Sequence, residues 1–114
     1  MSEVSIPHRR DELEDCLARW EDAIEEWQKV QQEAAEEETM LKAWEAATKS
    51  AYMANKMSAV MAEAKVRSHP DWAGRYLRTQ KLGITAEAKK RILRLAEAKW
   101  ESERSRQVSL RTLR

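Results

Sequence analysis

Apolar side chains recur along the first half of the chain at helical spacing. Leu13, Leu17, Trp20, Ile24 and Trp27 are separated by steps of 4, 3, 4 and 3, and Gln31 and Ala34 continue the register. Such a seam, about three heptads long, belongs to a helix that buries one stripe against another helix. Glu36, Glu37, Glu38 and Thr39 interrupt it, and a second apolar set follows: Met40, Leu41, Trp44, Ala47, Ala51, Ala54, Met57, Met61 and Ala64. The small residues of that set permit close approach of a neighbour. From Asp11 to Ser68 there is neither Gly nor Pro, a run of 58 residues that would span roughly 87 Å at about 1.5 Å per residue. The pattern predicts one long helix over 9–67. It is expected to bend near residue 38, where the register shifts, because no turn residue marks a loop. Residues 1–8 read as frayed. Pro7 is placed to open the helix, and Asp11 with Glu14 forms a capping box.

The clearest punctuation is Arg67-Ser68-His69-Pro70-Asp71-Trp72. Proline is barred from a helix interior but suits its first position, where Asp71 then meets the positive end of the dipole. Ser68 or His69 is the expected cap. A short helix is predicted over 70–82, with Gly83 as its left-handed terminator and Ile84 making the accompanying apolar contact. Thr85 then caps a last helix over 85–106, with Ile92, Leu95, Ala96, Lys99 and Trp100 as its inner stripe. Residues 107–114 read equally as helix or extended arm. The fold class is therefore all-α: a long N-terminal helix, a short helix and a C-terminal helix packed as an antiparallel hairpin or coiled coil, in a single domain.

Composition agrees with this pattern. Charged residues make up 36% of the chain, Gly and Pro occur twice each, Phe is absent and there are five Trp. Few breakers among abundant Ala, Glu, Lys, Arg and Leu is the signature of long helices. β-branched residues never alternate over a useful run, which argues against a sheet. The single cysteine, Cys16, can form no internal disulfide. The first residues lack the basic and apolar regions of a signal peptide, and no apolar run is long enough to span a bilayer. A cytoplasmic protein without membrane contact is expected.

The near-neutral total hides a polarity. Residues 1–40 carry 13 acidic and 4 basic side chains, whereas residues 75–114 carry 4 acidic and 12 basic. Asymmetry of this kind points to a charged partner or to internal pairing. Arg75, Arg78, Lys89, Lys90, Arg91 and Arg94, with Trp72 and Tyr76 as stacking platforms, form the candidate nucleic-acid site. Phosphate contact beside an aromatic surface is how single strands are held. The competing reading is equally physical. In an antiparallel hairpin the basic segment lies beside the acidic one, and the two neutralise each other through surface pairs. Both readings stay open on the sequence.

Catalytic chemistry finds little footing. His8 and His69 lie in the frayed start and in a turn, and nothing shows metal-ligand spacing. Cys16 stands beside Glu14 and Asp15, the opposite of an activating environment. Gly74 and Gly83 stand alone and build no phosphate loop. No enzyme activity, cofactor or metal is expected. Trp20, Trp27, Trp44 and Trp100 read as packing residues, and Trp72 as partly exposed. A helix as long as 9–67 cannot be covered by one return helix of 20–28 residues and one short helix, so some of the seam 13–34 should stay exposed and a homodimer is expected, with Leu13, Leu17, Trp20, Ile24 and Trp27 at its interface.

Three stretches carry a resemblance: the Ala-rich Leu41–Ala64, the run Ala64–Trp72, and Leu95–Trp100 followed by the Arg-rich close Ser109–Arg114. Over residues 40–114 the chain resembles small coiled-coil accessory proteins of tailed bacteriophages, encoded in the early recombination and replication region. The resemblance implies a non-enzymatic accessory factor in DNA recombination, engaging a recombination protein or single-stranded DNA. It transfers no functional residue. Two alternatives of other classes stand beside it. One is an inhibitor of a host protein, acting in defence or transcription, that presents the acidic segment 11–38. The other is a purely structural helical oligomer.

Overall fold

A computed structural model describes residues 9–112, with side chains described from Glu12 on. Three helices follow in order: α1 (Arg9–Ala54), α2 (Ala59–Arg67) and α3 (Pro70–Thr112). There is no strand among the described residues, and no helix among them is long and apolar enough to cross a membrane. The frayed start, the Pro7 opening and the last two residues lie outside the described residues. So does the side chain of Asp11, the expected first half of the capping box.

The long helix ends earlier than its composition suggests. α1 stops at Ala54 and the chain turns through Asn55–Ser58 before α2 begins. Lys56 adopts φ 67°, the left-handed region, which costs a side-chain-bearing residue roughly 1–2 kcal/mol. The turn is closed by Asn55 N–H donating to Tyr52 O and Lys56 N–H to Met53 O. Ser58 then caps α2, its hydroxyl accepting from Met61 N–H at 3.3 Å. Near residue 38, where a bend was expected, α1 runs on unbroken. Its half-buried and buried positions keep steps of 3 and 4 through that point: Val30, Ala34, Glu37, Leu41, Trp44 and Thr48. No register shift is needed, because Glu37 occupies the seam position itself, tied by Arg78 at 3.1 Å.

α3 also departs from the expected pattern. The expected short helix over 70–82 and last helix over 85–106 are one helix of 43 residues that also takes in the tail as far as Thr112. Gly83 has no positive φ and terminates nothing. Thr85 turns its hydroxyl to Lys81 O at 2.9 Å, so it sits inside a helix and caps nothing. The start matches expectation. Pro70 opens α3, and His69 is the cap, its Nδ1 accepting from Asp71 N–H at 3.0 Å.

Gly83 and Gly74 are thus interior helical glycines, and a Cβ at either meets nothing within 4 Å. Glycine in a helix interior costs about 0.5–1 kcal/mol against alanine. Gly83→Ala and Gly74→Ala are each expected to stabilise the protein by that amount. Urea denaturation followed by circular dichroism checks it, and a destabilised Gly83→Ala would place a helix end there after all.

The chain divides into two compact units, Met1–Gln28 with Glu87–Arg114 and Lys29–Ala86. In the first, α1 and α3 run antiparallel, since Lys89 Nζ meets Glu26 at 3.0 Å while Arg106 meets Glu12 at 3.7 Å. Cys16 and Ala23 are buried, and Trp20 stacks on Trp100 at 5.1 Å between centroids. Leu13, Ile24, Trp27, Leu93, Ala96 and Leu110 are half-buried. In the second unit, Leu41, Ala62 and Val66 are buried. Trp44 and His69 meet there in a T-shaped pair, 5.1 Å between centroids. Among the described residues no large side chain is fully buried in either unit, so each core is a thin seam between helices.

Candidate binding faces

The residues read from the sequence as a nucleic-acid site are divided between the units. Trp72, Arg75, Tyr76 and Arg78 stand on the second, and Lys89, Lys90, Arg91 and Arg94 on the first. Two of the six cations are tied to α1, Arg78 to Glu37 and Lys89 to Glu26. At these positions the basic and acidic segments pair with each other. A third, Arg75, lies over the Trp44 ring at 5.1 Å.

In the second unit Trp72 and Tyr76, one turn apart on α3, stack at 4.9 Å with an interplanar angle of 13°. Arg67 covers the Trp72 ring at 5.7 Å. Trp72 is half-buried and its Nε1 has no hydrogen-bond partner, while Tyr76 remains 44% exposed. A groove of about 350 Å³ runs beside them, lined by Glu38, Leu41, Lys42, Glu45, Arg67 and Thr79 among others. Two carboxylates and two cations face it, so its charges cancel and select for neither sign of ligand. Sequence reading missed Arg67 and Trp44 in this cluster. The spacing from Trp72 to Tyr76 was visible in advance, but the approach of Arg67 depends on the turn between α2 and α3.

In the first unit the decisive feature is which side of α3 turns outward. The expected inner stripe is partly inverted. Ala96 and Trp100 do face α1, but Lys99 is exposed, Ile92 is 50% exposed and Leu95 is 72% exposed. The inner positions are Lys89, Leu93, Ala96, Trp100, Glu103, Gln107 and Leu110, at steps of 4 and 3. Leu93, three residues before Ala96 and seven before Trp100, was the signal for this register. Arg91 and Arg94 share the outward side with Leu95, are exposed, and carry no ion pair among the described residues, while Ile92 borders the inner stripe. Two bare cations beside an exposed leucine are therefore left uncovered in this unit.

The seam expected to await a second chain lies against this chain's own α3. Trp20 stacks on Trp100, and Leu13, Ile24 and Trp27 are half-buried, whereas Leu17 is 37% exposed. The premise of a return helix too short to cover α1 fails because α3 has 43 residues.

Among the described residues, no three His, Cys, Asp or Glu side chains come together to hold a metal ion. Cys16 is buried, with 7% of its surface exposed. No family model, no curated protein and no solved structure matches this chain.

Proposed function

We propose that this protein is a non-enzymatic helical binding protein that works by docking other helices, in the setting of phage DNA recombination or replication that the resemblance of residues 40–114 implies. One observation carries the docking reading. Leu95 is 72% exposed on the side of α3 turned from α1, beside Arg91 and Arg94, which have no partners among the described residues, and Ile92, at the border of the inner stripe, is 50% exposed. Large aliphatic side chains are costly to leave in water, and uncovered apolar stripes rimmed by charge are interaction surfaces. The face bears no aromatic ring on which a base could stack, which favours a protein partner there over nucleic acid.

A second reading has its own support in the other unit. The Trp72–Tyr76 stack, with Arg67 over it and Tyr76 exposed, has the composition of a single-strand platform. Titration with an oligothymidylate at low and rising salt, followed by tryptophan fluorescence, separates the two. Docking through α3 predicts at most weak binding without indole quenching, lost steeply as salt screens the phosphate contacts. Tight binding with quenching, abolished by Tyr76→Ala, would overturn the protein-docking reading in favour of a single-strand binder.

A further inference from the structure

We infer that the outward face of α3 in the first unit is built to receive the outward face of α1 from a second copy of this chain, a contact that joins copies head to tail. This rests on the docking reading above and names its partner.

The complement is present on the same molecule. On α1, Glu14, Glu21, Asp22 and Glu25 are exposed and carry no ion pair among the described residues. By helical spacing they lie on the side opposite Cys16, Trp20, Ala23 and Trp27, the residues that face α3. Ala18 sits among them, and Leu17 beside them is 37% exposed. The outward side of α1 is thus acidic with a small apolar centre. The outward side of α3 carries Arg91 and Arg94 beside Leu95, with Glu87 one turn before Arg91, and Ile92 and Lys99 lie on its flank next to the inner stripe. Contact of two α3 faces would oppose like charges, and contact of two α1 faces would do the same. Contact of α1 with α3 opposes the carboxylates of α1 to Arg91 and Arg94 and covers Leu95.

The register is also on hand. Inside the unit, Glu26 meets Lys89 and Glu12 meets Arg106, so advancing along α1 means retreating along α3. A second copy docked in that same antiparallel register brings Glu21, Asp22 and Glu25 alongside the turn that holds Arg91 and Arg94. Ala18 then falls near Lys99. The pairing already used within one chain is repeated between chains, on the opposite sides of the same two helices.

The geometry has a consequence for stoichiometry. The acidic and cationic faces of one unit point away from each other, so a two-fold axis cannot satisfy both at once. The contact is heterologous, and each added copy leaves one free face of each kind. Association is therefore expected to continue past the dimer as concentration rises.

Sedimentation velocity of the full chain over a range of concentrations tests this, with far-UV circular dichroism as the control for folding. The expected result is a mass average that climbs beyond two chains at about 0.05 M salt and falls back toward one at about 0.5 M, where the screening length is only a few ångströms. Arg91→Glu with Arg94→Glu, and separately Glu21→Lys with Glu25→Lys, place good helix formers at exposed sites and should keep full helicity. Each pair is expected to weaken self-association about tenfold or more. Mixing the two variants sets the reversed α3 against the reversed α1 and the unchanged α1 against the unchanged α3, and is expected to restore association of the two in equal numbers. A monomer at every concentration and salt would overturn the self-docking, and so would association that neither pair weakens or that mixing fails to restore. Those outcomes differ from failure of the docking reading itself, which shows as quenched, Tyr76-dependent binding of the oligothymidylate.

Discussion

Trp100→Ala is expected to destabilise the protein by about 3 kcal/mol, the lower end of the range for removing a large aromatic from a packed site. The lower end applies because Trp100 and Trp20 are half-buried rather than enclosed. Three contributions add. Apolar area on Trp20 is returned to water. The stack at 5.1 Å is lost, which contributes about 0.5–1.5 kcal/mol beyond area. The Arg104 guanidinium at 5.2 Å loses the ring beneath it. Few other side chains can compensate, since only Cys16 and Ala23 are buried in this unit among the described residues. Denaturation of the wild type, Trp20→Ala, Trp100→Ala and the double variant gives the coupling directly. A coupling near 1 kcal/mol is expected. A value of zero would mean that the two indoles do not meet in solution, and the antiparallel register of the unit would fall with them.

Ala62→Asp is expected to cost at least about 3 kcal/mol, expressed mainly as loss of α2. Ala62 is 0% exposed and Val66 3% exposed. These two side chains hold a nine-residue helix that is too short to persist alone in water. A carboxylate at Ala62 must lose its hydration, and a buried charge costs several kcal/mol unless it is well paired. Val60→Asp is the matched control. Val60 is 79% exposed in the first turn of α2, where a negative charge is favoured by the helix dipole. It should be neutral or slightly stabilising. Amide hydrogen exchange of α2 reads both variants. Retained protection of α2 in Ala62→Asp would refute the packing described for this unit.

Much of the architecture was legible because it follows from local chemistry. Pro70 at a helix start, His69 before it and Asp71 after it satisfy local rules that no distant contact can easily overrule, and the structure agrees with them. The errors came where the local signal was weak or double-edged. Gly83 followed by Thr85 imitates a helix stop and a new cap, but a glycine also continues a helix at modest cost when packing on either side holds it. Conversely, nothing in Met53-Ala54-Asn55-Lys56 marks a break strongly. Asn55 was the one turn-forming residue available, and Lys56 takes the left-handed conformation without being glycine.

The binding faces were harder still, for a reason visible in α3. Its inner seam holds Ala86, Lys89, Ala96, Glu103 and Gln107, residues that look as if they belong outside, whereas Ile92 and Leu95 lie outside. A stripe drawn through the largest aliphatic residues therefore fell partly on the wrong side. The same holds for α1, where Ala23 and Cys16 are buried while Leu17 is not. When small residues line a close helix pair, volume at the seam counts for more than hydrophobicity, and volume is a property of two helices together.

Helical class, the near absence of breakers, the opposed charges of the two ends and the opening of α3 all stand in the sequence alone, because each depends on residues within a few positions of one another. Which stripe of each long helix turns inward, which cations find carboxylates and which stay bare were decided by the tertiary structure. Those outcomes depend on the relative rotation of α1 and α3 about their own axes. Only the fit of alanines, indoles and the Glu37–Arg78 and Glu26–Lys89 pairs across each seam selects that rotation.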